Sequence, residues 1–65
     1  MNWERIEGNW EQFKGKLREK WGDLSDDEID SMRGKGQQLT GKIREKYGES
    51  KEEVEKKMQE IEHSL

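Results

Sequence analysis

The strongest constraint on this chain is a narrow apolar stripe that occurs twice. Trp3, Ile6, Trp10, Phe13, Leu17 and Trp21 follow one another at steps of 3, 4, 3, 4 and 4. That spacing holds all six on one face of an α-helix. Moving each position on by 26 residues gives Ile29, Met32, Gly36, Leu39, Ile43 and Tyr47 at the same steps. Residues 8–22 read GNWEQFKGKLREKWG and residues 34–48 read GKGQQLTGKIREKYG, with eight of fifteen positions identical. A third run, Val54, Met58, Ile61 and Leu65, steps by 4, 3 and 4. No segment alternates as a strand would. The pattern predicts an all-α fold built on a duplicated helix–turn–helix unit, a repeat that shapes the whole architecture.

Punctuation supports this division. Gly22 and Gly48 follow the two stripes where C-cap glycines belong. Ser25–Glu28 and Ser50–Glu53 are S-x-x-E capping boxes that open new helices. The reading is one domain over residues 1–65, with repeat units at about 3–29 and 29–54 and a C-terminal helix at about 51–64. Gly34 and Gly36 interrupt the middle segment, and each costs about 1 kcal/mol in a helix interior relative to Ala. A short helix near 26–33 and a longer one near 36–47 follow, for about four helices in all. The stripe keeps its phase across the break, so three helices with one continuous middle helix is the alternative. Gly36 stands where the first copy has Trp10, leaving a vacancy for a bulky ring, and Trp10 is the candidate. Gly8, Gly15 and Gly41 lie opposite the stripe and read as glycines on a solvated face.

At 65 residues, a domain buries only about 60% of its unfolded surface, so large side chains must supply the core. Leu, Ile, Val and Phe number only 10, a scarcity that borders on disorder. Three Trp in so hydrophilic a chain argue for a fixed core. The expected core is Trp10, Phe13, Leu17, Trp21, Ile29, Leu39, Ile43, Tyr47, Val54, Met58 and Ile61.

Charged residues make up 45% of the chain, yet the net charge is only -3. There is no apolar run of membrane-spanning length, no secretory leader pattern and no Cys; a cytoplasmic monomer is expected. Cations gather toward the ends of the two stripes and anions at the starts of the following helices, as helix dipoles favour. A lysine face of Lys16, Lys20, Lys42 and Lys46 is the candidate for an interaction with nucleic acid or a protein. An acidic sequence pI near 5.2 weighs against nucleic acid, and the aromatic rings belong to the stripes rather than to a base-stacking platform.

Residues for chemistry are few. His63 is the single histidine, near the C-terminus, with no second His or Cys to make a metal site. Ser25 and Ser50 are explained as caps; Ser31, Thr40 and Ser64 have no base beside them. Phosphate-binding glycine loops and calcium loops are absent. The expectation is no catalytic residue, no cofactor, no metal and no membrane association.

The segments W-x-x-F-K-G-K at 10–16, W-G-D-L-S-D-D at 21–27 and G-K-I-R-E-K-Y-G at 41–48 together resemble the CsbD-like family of small bacterial stress proteins. The resemblance runs from about Gly8 to Ile61. It implies a small bundle of two packed α-hairpins in a SAM-domain-like arrangement, induction under general stress and a cytoplasmic location. It implies no enzymatic activity and transfers no site residue. Seven Gly and extreme hydrophilicity also resemble hydrophilins, which suggests a protectant of nonspecific client proteins under osmotic stress or water loss.

Overall fold

The computed structural model describes residues 1–65 as five helices and no strand: α1 Trp3–Gly8, α2 Trp10–Lys20, α3 Asp26–Ser31, α4 Gly36–Tyr47 and α5 Lys51–His63. α4 and α5, joined by residues 48–50, pack together as a helical hairpin, and α5 also packs on α2. The chain fills 28 × 23 × 20 Å.

The middle segment divides. α3 ends at Ser31 and α4 starts at Gly36, so the continuous middle helix is overturned. Gly34 sits at φ 78°, a left-handed conformation open to glycine and costly for other residues. The first stripe also divides, which raises the count from about four helices to five. At Asn9 the backbone turns to φ -125°, ψ 38°. Its N–H donates to the Ile6 carbonyl at 3.1 Å, and its Nδ2 donates to the Arg5 carbonyl at 2.9 Å. These bonds close the end of α1.

The glycine vacancy is filled by a different ring from the one expected. A Cβ at Gly36 would lie 2.4–2.8 Å from three atoms of the Trp3 indole. Trp3, on α1, therefore occupies the notch, not Trp10. Of the two C-cap glycines, only Gly48 caps in the left-handed region, at φ 66°. α2 instead ends on Trp21, whose N–H donates to the Leu17 carbonyl, and Gly22 keeps negative φ. The Ser25 box is complete, with Ser25 Oγ accepting from the Glu28 N–H and Glu28 reaching back to the Ser25 N–H. At Ser50 only the hydroxyl half is formed, toward the Glu53 N–H.

The core joins Ile6, Trp10, Phe13, Leu17, Trp21, Leu24, Ile29, Leu39, Ile43, Val54, Met58 and Ile61. Tyr47 is half-buried against it and accepts the Asp23 N–H on its hydroxyl oxygen at 2.7 Å. Leu24 lies outside the periodic stripes. With Ile29 it occupies the N′ and N4 positions flanking the Ser25 cap, where a hydrophobic staple fixes the entry of a helix.

Candidate functional site

Two indole groups are tied to carboxylates at the rim of the core. Trp10 and Lys14 lie one turn apart on α2, and both reach Asp30 on α3. Trp10 Nε1 donates to Asp30 Oδ1 at 2.8 Å, and Lys14 Nζ lies 3.0 Å from the same oxygen. Arg33 stands over the Trp10 ring at 5.2 Å and pairs with Glu7 at 2.7 Å. In the second cluster, Trp21 Nε1 donates to Glu49 Oε1 at 2.6 Å, and Lys57 of α5 pairs with the other oxygen of Glu49. Lys57 Nζ also lies 5.6 Å from the centre of the Trp21 ring.

Electrostatics follow this geometry. The indole N–H, then the Lys14 ammonium, hold the Asp30 carboxyl below its ordinary range. Lys57, then the Trp21 N–H, do the same for Glu49. Lys14 and Lys57 are each raised by the bond to their carboxylate. These are structural latches: each satisfies an indole donor that would otherwise be buried without a partner. No buried side-chain nitrogen or oxygen is left without a hydrogen-bond partner.

The lysine face is arranged differently from a basic patch. Lys42 and Lys46 both lie beside Glu28, at 4.0 and 3.3 Å, and Lys46 also donates to the Asp23 carbonyl at 2.8 Å. Lys20 pairs with Glu60 at 3.1 Å. Glu28 is held below the ordinary carboxylate range by the Ser25 N–H first and by Lys46 second. Lys16, half-buried on α2, has no carboxylate partner. Three of the four lysines thus face acids of their own chain.

A surface depression of about 490 Å³ runs along α4 and α5. Met1, Trp3, Gly36, Thr40, Gly41 and Arg44 are among its lining residues, with the Trp3 ring packed against Gly36. Its walls are mostly polar. The hydroxyls of Ser31, Thr40 and Ser64 are engaged with the backbone, donating to the Glu28, Gly36 and Ile61 carbonyls respectively. His63 is exposed, and no three His, Cys, Asp or Glu side chains are grouped to hold a metal ion.

Sequence reasoning missed Lys14 and Glu62, which are both 8% exposed. Glu62 Oε2 accepts the Asn2 N–H at 3.0 Å and so ties the start of α1 to the end of α5. Nothing in helical periodicity singles out either residue; Lys14 was visible only as the residue one turn after Trp10.

Residues 4–56 match the family described as CsbD-like. Over 64 residues the chain is 59% identical to a UPF0337 protein of Rhodopirellula baltica, covering 98% of this chain and 94% of that protein. Over 34 residues it is 59% identical to a UPF0337 protein of Rhodopseudomonas palustris and 56% identical to one of Agrobacterium fabrum. Those two matches span about half of each relative, 52% and 51% of its length, and 52% of this chain. No solved structure matches the chain.

Proposed function

The chain belongs to the CsbD-like family, a general stress-response family, and from that premise we propose that it acts without catalysis, as a hydrated protectant of other proteins during osmotic stress or water loss. The observation that carries this reading is the surface. Met1, at 44% exposure, is the one large hydrophobic side chain left exposed. The remaining surface is dominated by charges of both signs, many paired locally, as Arg18 is with Asp26 and Lys20 with Glu60.

Such a surface holds water and resists association. Placed between less soluble proteins as water is withdrawn, it separates them without a binding site. The same surface offers no apolar patch by which to capture an unfolded client. Action in the cytoplasm belongs to the same proposal; no helix is long and apolar enough to cross a membrane.

The test is inactivation of a labile enzyme on drying. The protein should preserve more activity than an equal mass of an unrelated small globular protein, and equal protection by both counts against the proposal. The alternative, nucleic-acid binding through Lys16, Lys20, Lys42 and Lys46, is disfavoured by the carboxylates beside three of them. It would displace the protectant reading if micromolar binding at physiological salt fell steeply with added salt and vanished when all four became Ala.

A further inference from the structure

The break at Asn9 lies in a stretch whose apolar stripe keeps helical phase throughout, although Gly8 and Asn9 themselves favour helix only weakly. From Trp3 to Trp21 the apolar steps never lose phase, yet α1 and α2 are separated by this one residue. We infer that α1 is an exchangeable segment: straightening Asn9 lets α1 of one chain dock on a second copy of this chain, giving a reciprocal dimer in which each groove along α4 and α5 is closed by the other chain's Met1 and Trp3.

Local hydrogen bonding does not hold the break. Straightening gives up two bonds, Asn9 N–H to the Ile6 carbonyl and Asn9 Nδ2 to the Arg5 carbonyl. A continuous helix replaces them with Asn9 N–H to Arg5 and Trp10 N–H to Ile6. It gains more besides. Asn9 makes no side-chain cap to α2, so the N–H groups of Glu11 and Gln12 lack helical partners at that end. In the continuous helix they meet the carbonyls of Glu7 and Gly8.

The bend is held instead by where α1 docks. Trp3 fills the Gly36 notch, Ile6 is fully buried, Asn2 N–H bonds to Glu62, and Glu7 pairs with Arg33. The partners of Trp3, Asn2 and Glu7 lie on α4, on α5 and in the turn between α3 and α4, so a second copy presents the same three; Ile6 joins a core that also includes α2. An 18-residue helix is about 27 Å long and carries Trp3 and Ile6 past its own core on the face that already bears Trp10 and Phe13. Two copies exchanging identical segments satisfy each contact reciprocally, as a two-fold interface requires. Mass action then makes the exchange depend on concentration.

Asn9→Ala removes the side-chain bond that closes α1 and favours helix at the hinge. The expected effect is about 10-fold per hinge, and about 100-fold tighter dimerisation because each dimer straightens two hinges. Asn9→Gly works in the opposite direction, since Gly disfavours the continuous helix. Light scattering after size exclusion, over micromolar to millimolar chain, should rank dimer content as Asn9→Ala above wild type above Asn9→Gly. An equal mixture of isotope-labelled and unlabelled Asn9→Ala chains, unfolded in urea and refolded together, should show intermolecular NOEs between the Trp3 indole and the Gly36 α-protons. If Asn9→Ala does not fold, the same labelled mixture is made with wild type at millimolar concentration and compared with Asn9→Gly. Dimer content that ignores residue 9, chains that stay monomeric at millimolar concentration, or a dimer whose Trp3–Gly36 NOEs are all intramolecular would each overturn the inference.

Discussion

Adding one methyl group at Gly36 tests the packing with the least chemical change. Its Cβ would stand 2.4 Å from Trp3 Cε2, 2.5 Å from Cζ2 and 2.8 Å from Cδ2. Carbon atoms in comfortable contact lie about 3.5–4.0 Å apart, so the ring must retreat by roughly 1 Å. It has little freedom to do so, because Asn2, Ile6 and Glu7 pin α1 on either side of it. Overpacking of this kind costs about 1–3 kcal/mol. Gly36 is the first residue of α4, a position where helix propensity returns little of that cost. For a chain of this length the whole stability is on the order of 3–10 kcal/mol, so the loss is a substantial share.

Gly41 is the matched control. It lies on the same helix, and a Cβ there meets nothing within 4 Å. Gly41→Ala should therefore stabilise by about 0.5–1 kcal/mol through reduced backbone freedom in the unfolded chain. Urea unfolding followed by Trp fluorescence reads both, with the slope unchanged if only stability has moved. Each kcal/mol should shift Tm by about 4–8 °C in a domain of this size. A neutral or stabilising Gly36→Ala, or a destabilising Gly41→Ala, would refute the placement of Trp3 against α4.

Three further outcomes follow from the polar contacts. Asp30, Glu49 and Glu28 are held below their ordinary values of 3.8 for Asp and 4.5 for Glu. Their stabilisation is full above those values and lost as pH falls through the lower folded-state values, so the urea midpoint should drop on acidification below about pH 4.5, less steeply in Asp30→Asn. Lys14 and Lys57 are raised above 10.5; what they contribute is present below that value and lost as pH climbs through the folded-state values, so the midpoint should fall again on the alkaline side. Ser25→Ala removes the acceptor of the Glu28 N–H and should cost about 1 kcal/mol, with amides of α3 exchanging faster by NMR than those of α5.

Much of this architecture is written in the apolar spacing. Trp10, Phe13, Leu17, Leu39, Ile43, Val54, Met58 and Ile61 occupy the buried faces that their periods indicate. The departures occur where contacts distant in sequence decide. Periodicity cannot say which ring fills the Gly36 notch, because Trp3 and Trp10 share a stripe and only the bend at Asn9 aims the former. The bend in turn depends on Glu62, 60 residues from its partner Asn2. Leu24 escapes the stripes because it belongs to a cap rather than to a helix face, although its place one residue before Ser25 is itself a readable pattern. Spacing on two helices groups the four lysines; the pairing of three of them with Glu28 and Glu60 depends on how α2, α3, α4 and α5 meet.

The abundance of charge and the dependence on tryptophan are linked. A chain with few aliphatic residues needs large rings to bury enough surface. Each indole also brings an N–H that must be satisfied when its ring is withdrawn from water. A charge-rich surface places carboxylates at the rim where those donors emerge, as Asp30 does for Trp10 and Glu49 for Trp21. Lysines then hold the carboxylates ionised and in position, Lys14 at the first latch and Lys57 at the second. The ions that keep the exterior hydrated therefore also complete the core. Exchanging them for uncharged polar residues should loosen Trp10 and Trp21 before it affects solubility, visible as a loss of near-ultraviolet circular dichroism while the helical signal persists. Retention of a full near-ultraviolet signal after Asp30→Asn combined with Glu49→Gln would refute the need for charge at these latches, because the amide oxygens can still accept the two indole N–H groups.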